Sequence, residues 1–438
     1  RSLMSEALKN HLSNKDYIYQ LPWYMVLGSD EAGKTSFINR SNQKFTLTAV
    51  ERTSKRYMRE NSLYQIDWWA SDDAILLDPE GGMIQQLGTE RDPEGKIAKG
   101  LWSHLLDWIN DVRPQRPING IILVVDLPKL IASNHSDRQA LAVILRNRIR
   151  EVTEQFGARV PVYVVLNKAD LIEGFETFYS DLKQAERHKN LGFSFTLNTD
   201  EQIDNWTKEL SDSYTAFVKE IEEIIFDKLA GTISQEERES LYMYARQLSG
   251  MQNILLQFIS DILESDRFTT TPYVRGVYFS SIFQEGIPMD FYQAAISKQF
   301  DLPHVVPSYL PERSQRTYFT HNFFQNIIYP EAGLVSDNEK EIRRSKRKFI
   351  LGAIAMAVCG ICVLATWQNY FYQNKTTSVK ILKLTEEFRQ MNISQSMDPT
   401  GRNLLKPLNI LRQATYGYGN YEKALPIIKD FGLSQGKK

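Results

Sequence analysis

Apolar residues in this chain gather into short unbroken runs, each closed by a glycine, an acidic residue or an asparagine. Trp23–Leu27, Ala74–Leu77, Gly120–Asp126 and Val162–Leu166 read as strands with both faces buried. Helical stretches alternate with these runs through residues 17–200, and Gly192–Thr196 reads as the last strand of the series. That alternation predicts a parallel sheet covered on both faces. Residues 1–16 read as a polar amphipathic helix leading into the sheet domain. From about 200 to 266 the spacing turns helical, with Leu210, Phe217, Ile221 and Ile225 followed by Met243, Leu248, Ile254 and Phe258. Pro272 opens a mixed segment that includes Val277–Ser280 and runs into helical pieces to about 330, so residues 201–340 are expected to form a mostly helical extension. Residues 349–367 carry no charge and show no polar face. A run of about 20 such residues spans a bilayer as a helix.

Orientation follows from the flanks of that run. Arg343, Arg344, Lys346, Arg347 and Lys348 fill the basic flank 341–348, just after Lys340, and Trp367, Tyr370, Phe371 and Tyr372 form a belt on the far side. Basic loops stay in the cytoplasm, which places residues 1–348 there and residues 368–438 across the membrane. Residues 368–438 read as short helices and turns, the start of another domain.

The turn after the first strand carries chemistry. Gly28-Ser29-Asp30-Glu31-Ala32-Gly33-Lys34-Thr35 fits G-x-x-x-x-G-K-[ST], and Ser36 can open a helix behind it. In such a phosphate loop, glycines let backbone N–H groups wrap phosphates, a lysine reaches the outer phosphates and a hydroxyl ligates Mg²⁺. Here those roles fall to Lys34 and Thr35. Asp78-Pro79-Glu80-Gly81 is a D-x-x-G at a strand end: Asp78 can hold the Mg²⁺ shell, and the Gly81 N–H can meet a terminal phosphate. Asn167-Lys168-Ala169-Asp170 is an N-K-x-D, whose aspartate accepts guanine hydrogens that adenine does not offer. The expected ligand is therefore GTP (or ATP) with Mg²⁺, and the loop after Gly192–Thr196 is expected to close over the base. Efficient hydrolysis is not expected. Asp30 and Glu31 place two carboxylates beside a polyanion, and Gly82 stands where a water-orienting glutamine belongs. Thr46, Thr48 and Thr53 each suit the threonine that closes over the metal, and nothing ranks them.

Composition narrows the class further. A chain of 438 residues, 42% hydrophobic and 24% charged, can bury a sizeable core, and a net charge of −1 gives no field for nucleic acid. The two cysteines, Cys359 and Cys362, lie inside the apolar run, so their C-x-x-C spacing suggests neither disulfide nor metal. The six histidines lack metal-ligand spacing, and no serine sits in a G-x-S-x-G elbow. The chain opens at Arg1 without a methionine, and is expected to be part of a longer protein.

Leu21-Pro22-Trp23-Tyr24 before the Gly28–Thr35 turn and Asp67-Trp68-Trp69 before the D-x-x-G resemble the L-P-W-Y that opens the cytoplasmic NTPase domain and the D-W-W of the IcmF/TssM family, inner-membrane components of bacterial type VI secretion systems. Arg116-Pro117-Ile118-Asn119-Gly120-Ile121 resembles R-P-I-N-G-[IV]. Arg275-Gly276-Val277-Tyr278-Phe279-Ser280-Ser281 with Gln284-Glu285-Gly286, and Phe323-Phe324 with Pro330-Glu331-Ala332-Gly333-Leu334, resemble later family motifs. Asp30, Glu31 and Pro79-Glu80 depart from the family pattern, and Asn167 replaces its commoner threonine.

The resemblance implies an α/β, P-loop GTPase-like sheet, a helical extension, one transmembrane helix and the start of a helical periplasmic region. It further implies two membrane helices upstream and a large periplasmic region downstream. Expected partners are a TssL-like inner-membrane protein, baseplate components, a TssJ-like outer-membrane lipoprotein and further copies of the chain. Two roles follow: a scaffold whose assembly nucleotide tunes, or an NTPase whose turnover powers secretion. The acidic loop and Gly82 favour the scaffold.

Overall fold

The computed structural model describes residues 19–41, 43–47, 66–86, 93–196, 206–231, 234–263, 272–282, 316–335, 338–391 and 400–419. The chain divides into two compact units, Arg1–Ile342 and Arg343–Lys438. The expected helix at 1–16 lies outside the described residues.

The first unit is built on an eight-stranded sheet. Its strands are β1 (Trp23–Leu27), β2 (Thr46–Leu47), β3 (Ile66–Ala70), β4 (Ile75–Pro79), β5 (Gly120–Asp126), β6 (Pro161–Asn167), β7 (Leu191–Ser194) and β8 (Tyr273–Phe279). They lie in the order β2-β3-β4-β1-β5-β6-β8-β7. The central five, from β4 to β8, run parallel, and β2, β3 and β7 add antiparallel edges. Every residue of β1, β5 and β6 is buried, as uninterrupted apolar runs require.

Alternation divides those side chains between two cores. Trp23, Met25, Leu27, Ile121, Leu123, Val162 and Val164 face one side, while Tyr24, Val26, Ile122, Val124, Tyr163 and Val165 face the other. Helices cover the first face: α3 (Pro93–Val112), α5 (His135–Phe156), α8 (Trp206–Leu229) and α9 (Gln235–Leu263). In sequence, the short helices α1 (Lys34–Asn39) and α2 (Gly81–Gln85) precede α3, and the short helices α4 (Leu127–Ala132), α6 (Phe175–Tyr179) and α7 (Gln184–Arg187) lie between the covering helices.

The second face is covered by α1 and by a strap, residues 316–335. Phe323 and Phe324 meet Phe37 of α1, with ring centroids 5.6 and 5.7 Å apart. The Tyr24 hydroxyl donates to the Ile328 carbonyl at 2.8 Å. Arg275 of β8 forms a bidentate pair with Glu331 at 2.8 and 2.5 Å, and the Tyr163 hydroxyl donates to the same carboxylate at 2.8 Å. Burial and the Glu331 charge push the Tyr163 phenol well above its ordinary range, so it stays a donor.

At its far end the strap reaches Asn119, which donates to the Ala332 carbonyl at 2.8 Å and accepts from the Trp23 backbone at 3.0 Å. Arg113 lies fully buried beside them, its guanidinium 4.9 Å from the Trp23 ring, and burial lowers its pKa to about 10. The family-like stretches at residues 21–24, 116–121 and 330–334, with Arg113, therefore build one corner of the fold.

Residues beyond 200 are integral to the sheet. β8 slots between β6 and β7, so segments that the sequence separates at 200 share one sheet and one core.

Glu339–Gln390 is one continuous helix, α10, which from Arg343 onward belongs to the second unit. It is long and apolar enough to cross a membrane, and contains the expected span 349–367. Residues 368–390, read from sequence as short helices and turns, instead continue that helix. Their polar side chains end the apolar run without supplying a glycine or proline to stop the helix. A further helix, α11 (Arg402–Thr415), follows, and the Tyr418 hydroxyl behind it meets the Ser378 hydroxyl of α10.

Candidate functional site

The C-terminal ends of the five parallel strands converge on one edge of the sheet. Register places Leu27 beside Leu123, Asp126 beside Asn167, and Leu166 beside Phe279. Chain order reverses at β1, with β4 on one side and β5 on the other. Open α/β sheets bind ligands at such a switch point, beyond the carboxyl ends of the strands.

The Gly28–Thr35 turn caps β1. Glu31 (φ 63°) and Gly33 (φ 82°) are left-handed on either side of buried Ala32, which turns successive N–H groups toward one concavity. Ser29 is buried beneath it, while Asp30, Glu31, Thr35 and Ser36 are exposed. The carboxylates of Asp30 and Glu31 thus stand at the mouth rather than inside the turn.

Lys34 and Asp78 form a buried pair, 7% and 4% exposed, at 3.3 Å. The ammonium also donates to the Pro79 carbonyl at 2.5 Å, and the Thr35 hydroxyl donates to Asp78 Oδ2 at 2.9 Å. Burial raises the Asp78 pKa, against the opposing pull of Lys34 and Thr35. Two carboxylate oxygens beside a hydroxyl form a donor set that suits a hard cation such as Mg²⁺. Gly81 is pressed against the tip of the Gly28–Thr35 turn: a Cβ there would lie 1.9 Å from Asp30 Oδ1 and 2.5 Å from the Asp30 nitrogen. Only glycine fits this contact. Gly82 follows in α2, Thr46 pairs with Ala70 in edge strand β2, and Thr48 and Thr53 lie outside the described residues.

Asn167 and Lys168 tie this turn to the end of β6. Asn167 Nδ2 donates to the Ala32 carbonyl at 2.9 Å, and Lys168 Nζ to the Glu31 carbonyl at 2.7 Å. Lys168 has a left-handed backbone (φ 65°), which brings its ammonium back to Asp126 Oδ2 at 2.6 Å. Asp170, 8% exposed, accepts from the Ser281 hydroxyl at 2.7 Å, and Asn167 accepts from the Ser280 hydroxyl at 3.1 Å.

Asp126, Ser280 and Ser281 were not singled out from sequence as members of this site. Their signal was the one that marked Asp78, a polar residue directly behind a buried strand. The loop after Thr196 that was expected to meet the base lies outside the described residues, and β7 runs antiparallel to β8, pairing Ser194 with Gly276, so its C-terminal end points away from this edge. Ser280 and Ser281, behind β8, meet the N-K-x-D stretch instead.

Residues 96–357 match the family model of the IcmF-related N-terminal domain. The chain belongs to the IcmF-related family. The family match begins downstream of the Gly28–Thr35 turn and includes Asn167–Asp170, β8, the strap and the start of α10. The chain is also 27% identical over 426 residues to the type VI secretion system component TssM1 of Pseudomonas aeruginosa. That alignment takes in 97% of this chain and 37% of the relative, so this IcmF-related chain spans little more than a third of the relative's length.

Proposed function

We propose that this chain is the nucleotide-binding cytoplasmic domain and membrane anchor of a TssM-like scaffold in a type VI secretion membrane complex. The observation that carries the nucleotide reading is the pair of bonds from Asn167 and Lys168 to the carbonyls of Ala32 and Glu31. They make the phosphate turn and the base-reading turn one body, an arrangement that a simple structural turn does not need. In this reading the N–H groups of residues 30–36 and Lys34 take the phosphates, and Thr35 and Asp78 hold Mg²⁺. Asp170, oriented by Ser281, accepts the guanine N1 and N2 hydrogens, which favours GTP over ATP. Hydrolysis is slow, because Gly82 cannot position water.

Residues 1–348 lie in the cytoplasm, α10 crosses the inner membrane, and residues 368–438 enter the periplasm. The cytoplasmic part docks a TssL-like protein and baseplate components, the periplasmic part leads toward a TssJ-like lipoprotein, and copies assemble together.

The test uses Lys34→Ala in the full chain. Fluorescent GTP should bind the parent at least tenfold more tightly than ATP and should fail to bind the variant. The variant should still enter the membrane and recover its inner-membrane partner by affinity capture, with secretion reduced only in part. A variant that assembles normally yet secretes nothing would replace the scaffold reading with that of an engine. A parent that binds no nucleotide would end the nucleotide reading.

A further inference from the structure

The contact between Asp30 and Gly81 bears on which nucleotide the site takes. We propose that Asp30 makes this a nucleoside-diphosphate site, its carboxylate standing where the third phosphate of a triphosphate would meet the Asp78–Gly81 turn. The proposal rests on the nucleotide reading above and deepens it.

Left-handed Glu31 and Gly33 turn the loop's N–H groups into a concavity beside Lys34. A third phosphate would extend toward the D-x-x-G turn, and that approach is closed by Asp30. Its Oδ1 lies 1.9 Å and its backbone nitrogen 2.5 Å from where a Cβ of Gly81 would be, so no gap separates the loop tip from the turn.

Charge acts in the same direction. Asp30, Glu31 and Glu80 are all exposed around this mouth. The two lysines of the site are already engaged by carboxylates, Lys34 by Asp78 at 3.3 Å and Lys168 by Asp126 at 2.6 Å. A terminal phosphate would bring its charge against Asp30 with neither ammonium uncommitted, and like charges in contact repel most where water is thin.

Equilibrium titrations of the full chain in detergent with fluorescent GDP and a non-hydrolysable GTP analogue, both with Mg²⁺, test this. The parent should prefer the diphosphate at least tenfold. In Asp30→Asn and Asp30→Gly the ratio should collapse toward one because triphosphate affinity rises, with unchanged melting temperatures showing that the variants fold. A parent ratio near one, or a ratio that survives both substitutions, overturns the proposal and leaves the nucleotide reading standing. Binding of neither nucleotide by the parent overturns both.

Discussion

Glu331→Ala removes the carboxylate that anchors the strap to the sheet, and its cost can be worked from the contacts. The residue accepts two hydrogen bonds from Arg275 and one from Tyr163. Breaking a buried ion pair by deleting one partner typically costs about 3–5 kcal/mol, since the other charge stays buried and uncompensated. Arg275 is 7% exposed and Glu331 20%, which puts the pair at the lower end, about 3 kcal/mol. The stranded Tyr163 hydroxyl adds about 1 kcal/mol. Arg275→Met combined with Glu331→Leu removes both charges, so the double variant should lose only about 1–2 kcal/mol. Urea unfolding of the full chain in detergent, followed by tryptophan fluorescence, measures this, because every tryptophan except Trp367 lies in the first unit. A single variant within 1 kcal/mol of the parent, or a double variant whose loss equals the sum of its singles, would refute the reasoning.

Other expected outcomes follow from the site and the flanks. Asp170→Asn should move base preference from GTP to xanthosine triphosphate, a shift of about 2–5 kcal/mol for a charged hydrogen-bond pair, and equal ATP and GTP affinity in the parent would show that Asp170 reads no base. Burial, and then the charge of His188 stacked 4.0 Å away, hold the His321 pKa below its ordinary value. The unfolded chain therefore takes up the proton first, and stability should fall as pH drops through about 6.5. His321→Gln should flatten that slope of melting temperature between about pH 7.5 and 5.5, and an unchanged slope would rule this out. A reporter active only outside the cytoplasm should be active when fused after Lys375 and silent after Asp337, and the reverse pattern would overturn the orientation.

Strands buried on both faces were plain in the sequence because nothing polar interrupts them: β1 is found as read, and β6 extends its predicted run by one residue at each end. The loop, Asp78 and Asn167–Asp170 were legible for the same reason, each sitting where a buried run ends. β3 escaped notice because Asp67 separates Ile66 from Trp68-Trp69 and most of the strand is only half-buried. Pairing was not legible at all. Val277–Ser280 was read only as part of a mixed segment, and nothing local says that this stretch is a strand that enters between β6 and β7 and delivers Ser281 to Asp170. The length of α10 was hidden because hydropathy marks the membrane and not the helix.

The insertion of β8 imposes an order on the birth of the protein. When β6 leaves the ribosome it is an edge, and roughly 105 residues separate its end from the start of its partner β8. At roughly 5–20 residues per second, that edge waits about 5–21 s for its partner. During that interval a fully buried strand, Pro161–Asn167, offers bare backbone groups to any neighbouring chain. A nascent chain halted at residue 200 would keep that edge for good and should sediment as aggregate, so the sheet depends on synthesis running through β8 without a long pause.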